Sequence, residues 1–172
     1  MRRNAIILAI LVVSIGLYLV YKNLGGDQEI VYTVEQRGFR VMGQSYDGSY
    51  RSKEIEGLFR KAKKVAEQEN LQVVVVNYGS DDEAATIKQF IGVLLMDGTM
   101  TESDDGYELI TFDSQQVISA KINAHNFVMP KPEKVREGAQ KLATEKGVEL
   151  GQTTLEVYIS DRELTSYFLS DM

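Results

Sequence analysis

Residues Phe39–Tyr78, FRVMGQSYDGSYRSKEIEGLFRKAKKVAEQENLQVVVVNY, decide how the chain is read. Phe39–Tyr46 has the aromatic and apolar content of a strand, and Asp47-Gly48 follows it as a turn. Ser52 stands where a hydroxyl can cap a helix. From about Lys53 to Glu69, Ile55, Leu58, Phe59, Ala62, Val65 and Ala66 recur at steps of three and four, which places them on one helix face. Arg60, Lys61, Lys63 and Lys64 fall largely off that face and read as its solvated side. Asn70 tolerates the left-handed conformation that ends a helix. Leu71–Tyr78, with Val73–Val76 at its centre, is the β-branched run of a strand buried on both faces.

A weaker copy of this pattern returns over Val117–Tyr158. With Val41 set over Val117, Tyr46 falls on Ile122 and Asp47-Gly48 on Asn123-Ala124. After one inserted residue, Ala62, Val65, Ala66 and Leu71 fall on Ala139, Leu142, Ala143 and Val148. The second helix spans about Pro132–Lys146, with proline at a tolerated first-turn position and Gly147 as its stop. Ile30–Val34, Phe90–Met96, Tyr107–Phe112, Val117–Ile122, Thr153–Ile159 and Leu164–Leu169 supply the other strands. Neither half has the apolar surface to stand well alone. The expected fold class is therefore α+β: duplicated strand-helix-strand-strand units forming an antiparallel sheet with two helices on one face. The domain is placed at 29–172, with repeat halves at about 30–97 and 107–172. Related halves leave a cleft where they meet, a common place for a ligand.

Ahead of the domain, Ala5–Tyr21 (AIILAILVVSIGLYLVY) carries no charge. Its length is near the short limit of a bilayer-spanning helix, about 17–25 residues. Arg2 and Arg3 precede it, and Tyr18, Tyr21 and Lys22 suit the far interface. Leu19–Leu24 lacks the small residues of a cleavage site, so an uncleaved anchor is preferred to a signal peptide. The expectation is a single N-terminal transmembrane helix at 1–22 and a linker at 23–28. The charge bias puts the N-terminus in the cytoplasm and exports the domain of this single-pass membrane protein.

The 172 residues are 44% hydrophobic, which suits one folded domain with an extension. Net charge is -6, and 19 basic side chains less Arg2 and Arg3 leave 17 against 25 acidic ones. That balance of -8 opposes binding to nucleic acid through a broad basic face and tolerates cationic ligands. The absence of cysteine excludes disulfides and thiolate metal sites, and a single histidine excludes histidine clusters. Asp97–Gly106 (DGTMTESDDG) is acidic but lacks the alternating ligands and closing glutamate of a calcium loop. No metal and no cofactor is expected.

These residues resemble those of GyrI-like domains. Tyr46-x-Gly48-x-Tyr50 is similar to the family's tyrosine–glycine–tyrosine turn. Leu58-Phe59, and Val76–Asp82 followed by Ile91-Gly92-Val93, resemble its membrane-anchored branch, which includes an ER-phagy receptor with an N-terminal membrane helix. The resemblance covers nearly the whole chain. It implies two strand–helix–strand–strand units with a small molecule, often cationic or amphipathic, in the cleft between them. Some members bind a protein partner, and some hydrolyse reactive small molecules. Two features depart from the family. The receptor's long tail does not follow Met172, so a receptor role of that kind is not expected. The second-half turn is Asn123-Ala124-His125-Asn126 in place of the aromatic–glycine pattern.

The candidate ligand-binding residues are Tyr46, Gly48, Tyr50, Glu156 and Tyr158. By alternation Glu156 faces away from Leu155 and Val157, together with Thr154 and Tyr158. The resemblance implies that such a glutamate points into the cleft and meets a cation or polarises a bond. A carboxylate among aromatic walls attracts cations strongly once water is excluded; the alternative is an exposed strand residue. Tyr46 and Tyr50 offer flat walls with polar tips, whereas Tyr78 reads as packing. His125 is a candidate base or haem ligand, the latter by a distant haem-binding relation, but no second group is placed to orient it. No nucleophile–base pair is recognisable, so catalytic residues stay unassigned. The leading expectation is a membrane-tethered binding domain, with a Glu156-dependent hydrolase or a protein-interaction scaffold as alternatives. A small molecule or a protein, and the membrane, are the expected partners, with no nucleic acid.

Overall fold

The pattern strand–helix–strand–strand occurs twice after an N-terminal helix, in a computed structural model that describes residues 2–81, 85–96 and 106–170. Helix α1 covers Arg2–Asn23. The first half is β1 (Val31–Ser49), α2 (Lys53–Glu69), β2 (Gln72–Asp81) and β3 (Thr86–Leu94). The second is β4 (Glu108–Asn123), α3 (Pro132–Lys146), β5 (Leu150–Tyr158) and β6 (Glu163–Ser170). Every strand pairing is antiparallel. The order is β1-β3-β2-β5-β6-β4, and β4 returns to β1. Exchanging the halves leaves that order unchanged.

The sheet closes into a barrel, which the expectation of an antiparallel sheet did not include, and α2 and α3 both lie on its outer face. The cause is the length of β1 and β4. Val31–Gly43 of β1 pairs with β4 while Val41–Ser49 pairs with β3, so one strand serves two neighbours and removes the free edge. Arg37-Gly38 reads as a break in sequence, yet it is a register shift within one continuous strand. Asp47 and Gly48 still pair with Lys88 and Ile87, and the chain turns only after Ser49.

Three apolar clusters follow from strand alternation. Phe39, Val41, Val74, Val76, Phe90, Leu155 and Val157 fill the barrel, where Tyr167 meets Phe39 edge-on with ring centres 4.9 Å apart. Ala62 and Ala66 of α2 cover Val73, Val75, Ile91 and Val93 on the outside. Val135, Ala139 and Ala143 of α3 cover Ile118, Ala120 and Ile122. Both helices stop in the left-handed conformation, at Asn70 (φ 52°) and Gly147 (φ 67°). Ser52 Oγ accepts a hydrogen bond of 3.1 Å from the Glu54 amide. Ser52→Ala is expected to cost about 1 kcal/mol, read as a lower thermal midpoint.

Among the described residues, no helix is long and apolar enough to cross a membrane. That overturns the transmembrane helix at 1–22, the single-pass localisation, the cytoplasmic N-terminus and the exported domain. The uncharged stretch within α1 is at the short limit of a span. At about 1.5 Å per residue the uncharged run Ala5–Tyr21 reaches about 25 Å, against about 30 Å of bilayer hydrocarbon. The segment after α1 is tied down rather than free: the His125 amide donates to the Leu24 carbonyl at 2.8 Å, and Gly25 is buried. Asp97–Asp105, on which the calcium reading falls, lie outside the described residues.

Candidate functional site

The site arises from a difference between the two halves at matching positions. In the first half Val73 pairs with Val93, and Val75 with Ile91. In the second, Thr154 pairs with Phe168, and Glu156 with Ser166. Val73, Val75, Ile91 and Val93 thus correspond to Thr154, Glu156, Ser166 and Phe168. The β2–β5 register has the same symmetry: Val75 lies opposite Glu156, and the pair Val73–Tyr158 is mirrored by Asn77–Thr154. All these side chains lie on the outer face, because Val74, Val76, Leu155 and Val157 take the barrel interior.

In the first half the outer set is apolar, and α2 lies across β3 and β2 to bury it. In the second half three of the four positions are polar, and α3 packs chiefly on β4 and β1 instead. A helix gains little by covering a threonine, a serine and a glutamate, since their polar groups would lose water without finding partners. The space left over β5 and β6 is a cavity of about 750 Å³. Thr154, Glu156, Tyr158, Ser166 and Phe168 line it from the second half, Asn77 and Gln89 from the first. Val135 and Arg136 line it from α3, and Met129–Pro132 from the segment leading into that helix.

Glu156 is half-buried in this cavity. The Tyr158 hydroxyl donates to Glu156 Oε2 at 3.0 Å. Phe59 of α2 holds the Tyr158 ring edge-on, with centres 5.2 Å apart, so the donor is positioned from the opposite half. Burial pushes the Glu156 carboxyl above its ordinary range, and the Tyr158 hydrogen bond pulls it part of the way back. Burial, then the adjacent Glu156 charge, pushes the Tyr158 hydroxyl far up, so it stays a protonated donor at neutral pH. The ion pairs among the described residues are Lys22–Asp27, Arg37–Glu35 and Arg60–Glu56, and none involves Glu156. Arg136 Nη2 donates to the Gly151 carbonyl at 2.7 Å, and its guanidinium lies 5.9 Å from the Phe168 ring centre. Gln89 Nε2 donates to Asn77 Oδ1 at 2.6 Å.

Tyr158→Phe removes the one contact that lowers the Glu156 carboxyl, so Glu156 is expected to titrate at higher pH in that variant. Side-chain carboxyl NMR shifts followed through a pH series check this; an unmoved or lowered titration would contradict it.

Of the five candidate residues, the structure brings Glu156 and Tyr158 together in the cavity. Tyr46 sits on the same outer-face row, Tyr46–Gln89–Asn77–Thr154, one strand beyond the lining. It is 6% exposed, and its hydroxyl donates to the Ser49 carbonyl at 2.8 Å. Gly48 lies under that hydroxyl, and Tyr50 is exposed with the Arg51 guanidinium 5.4 Å from its ring centre. These three shape the end of β1 and are not among the residues lining the cavity. His125 stacks on Phe127 at 5.2 Å in the loop before α3, also outside the lining. Sequence reading missed Ser166, Phe168, Asn77, Gln89 and Arg136. Alternation along Leu164–Leu169 does put Leu164, Ser166 and Phe168 on one face; nothing in the sequence distinguishes Arg136 from a solvated helix base.

No protein-family model matches the chain, and no curated protein matches it in sequence. Solved structures match it in fold. The EcmrR–DNA complex superimposes with a TM-score of 0.58 at 10% identity, covering 98% of this chain and 67% of that one. The EcmrR C-terminal domain gives 0.57 at 8% identity, covering 82% and 96%. SAV2435 bound to tetraphenylphosphonium gives 0.46 at 12% identity, covering 81% and 93%, a likeness too distant to carry an argument. The chain thus shares the fold of the EcmrR C-terminal domain. The membrane-anchored branch finds no support among these structures.

Proposed function

We propose that this is a GyrI-like small-molecule-binding domain whose cavity over β5 and β6 takes a cationic or amphipathic molecule. The observation that carries the reading is Glu156. A carboxylate held half-buried beside aromatic rings, with no basic partner among the described residues, loses hydration that only a cationic ligand restores. Tyr158 and Phe168 supply the flat apolar walls against which a quaternary ammonium or an aromatic cation packs. The roles of Glu156 and Tyr158 as ligand contacts belong to this proposal, and Tyr46, Gly48 and Tyr50 enter it as the frame that sets the neighbouring strand.

A thermal-shift titration of the full chain with dodecyltrimethylammonium tests it. The midpoint should rise with ligand in the wild type by mass action and stay flat in Glu156→Gln. Equal shifts in both proteins, or none in either, would overturn the reading. A hydrolase reading has one observation in its favour: a carboxyl held above its ordinary range with a hydroxyl donor 3.0 Å away can act in proton transfer. Turnover of an activated ester or epoxide that vanishes in Glu156→Gln would favour it. A closed scaffold is disfavoured, because the cavity of about 750 Å³ is not filled by side chains.

A further inference from the structure

Four charged side chains line the cavity: Lys131, Glu133, Arg136 and Glu156. Lys131 and Glu133 are exposed and opposite in sign, so water screens them and their net charge is zero. Arg136 and Glu156 are half-buried, also opposite in sign, and do not pair with each other. The Arg136 guanidinium is held by a carbonyl oxygen and lies beside an aromatic ring, neither of which neutralises it. Its fixed fork leaves further N–H donors for an acceptor.

A simple cation would answer Glu156 and leave Arg136 uncompensated. A simple anion would do the reverse. From these two unpaired charges in one cavity we infer that its ligand is a zwitterion, with a cationic group against Glu156 and Tyr158 and an anionic group, phosphate or carboxylate, against Arg136. This rests on the cation-binding reading above and adds the second half of the ligand. Charge-assisted hydrogen bonds from a held guanidinium are strong enough to alter affinity about tenfold or more.

Three probes test the inference on the full chain by calorimetric titration below micelle-forming concentrations. They are dodecyltrimethylammonium, which carries a cation and a chain, dodecylphosphocholine, which adds a phosphate, and phosphocholine without a chain. Dodecylphosphocholine should bind at least about tenfold tighter than dodecyltrimethylammonium. Arg136→Met, which keeps the apolar stem beside Phe168, should abolish the preference for the zwitterion, and the plain cation, relieved of a like charge in the same cavity, should bind no more weakly than before. Arg136→Lys, which keeps the charge without the fork, should restore part of the difference. The inference is overturned if the plain cation binds as well as the zwitterion, or if Arg136→Met weakens both alike. Binding of neither amphiphile would instead sink the cation-binding reading itself. Phosphocholine separates the sources: Arg136-dependent binding of the bare headgroup identifies a free zwitterion, and its loss alongside retained binding of the chain-bearing probe identifies a lipid headgroup. Either result supports the assignment.

Discussion

Gly92→Ala is expected to lower the thermal midpoint by about 10 °C, a loss of about 3 kcal/mol. Gly92 of β3 lies opposite Gly43 of β1, on the side of the strands that faces the barrel interior. The strands close so tightly here that a Cβ on Gly92 would stand 2.6 Å from the Gly43 Cα and 2.7 Å from the Met42 carbonyl carbon. Both obstacles are backbone, so no side-chain rotation relieves the clash. Relief requires the two strands to part, which would break the pairing on either side, including Tyr46 with Gln89 at the edge of the cavity. The need is for space rather than for an unusual backbone angle, as expected where a sheet coils into a small barrel. A midpoint within about 2 °C of wild type would mean that the strands do not close on each other at this point.

Glu156→Gln is expected to do two opposite things: stabilise the free protein and remove its affinity for cations. The folded protein holds the Glu156 proton more tightly than the unfolded chain does, because burial raises the carboxyl above its ordinary 4.5. A carboxyl raised on folding contributes fully below the unfolded value, and that contribution is lost as pH rises through the folded one. The variant escapes the loss, since its amide can still accept from the Tyr158 hydroxyl and carries no charge. The two proteins should therefore match in stability near pH 4 and diverge above it, with the variant about 1–2 kcal/mol more stable at pH 7. Over the same range its affinity for a quaternary ammonium should fall about 30-fold, the equivalent of about 2 kcal/mol of lost charge pairing. A variant less stable than wild type at pH 7 would show that the carboxylate already has a structural cation partner.

The helix ends were legible because their signals are local. Ser52, Asn70 and Gly147 act through their own backbone and one turn of chain, and no distant contact overrides them. The continuity of β1 was not legible, because Arg37-Gly38 looks the same in a turn as in a bulge, and only pairing with β4 distinguishes them. Barrel closure likewise depends on which neighbours a long strand can reach. The membrane anchor illustrates a different failure. The apolar character of Ala5–Tyr21 is plain in the sequence, but a run near the lower length limit does not fix its own setting. At the site, alternation fixed the direction of Glu156, while the cavity in front of it required knowing that α3 lies over β4 and β1. Tyr46, Gly48 and Tyr50 drew notice because their spacing resembles a family turn; in the structure Tyr46 pairs with Gln89 across the sheet and its hydroxyl donates to the Ser49 carbonyl.

The pH dependence of affinity for a cation that cannot itself titrate bears most directly on the role of Glu156. Titrating the wild type with dodecyltrimethylammonium across a pH series should give constant affinity while Glu156 is ionised, then a fall of about tenfold per pH unit once it protonates. The same series on Glu156→Gln should be weak and flat. Wild-type affinity that is independent of pH throughout would contradict the assignment of Glu156 as the group that holds the cation.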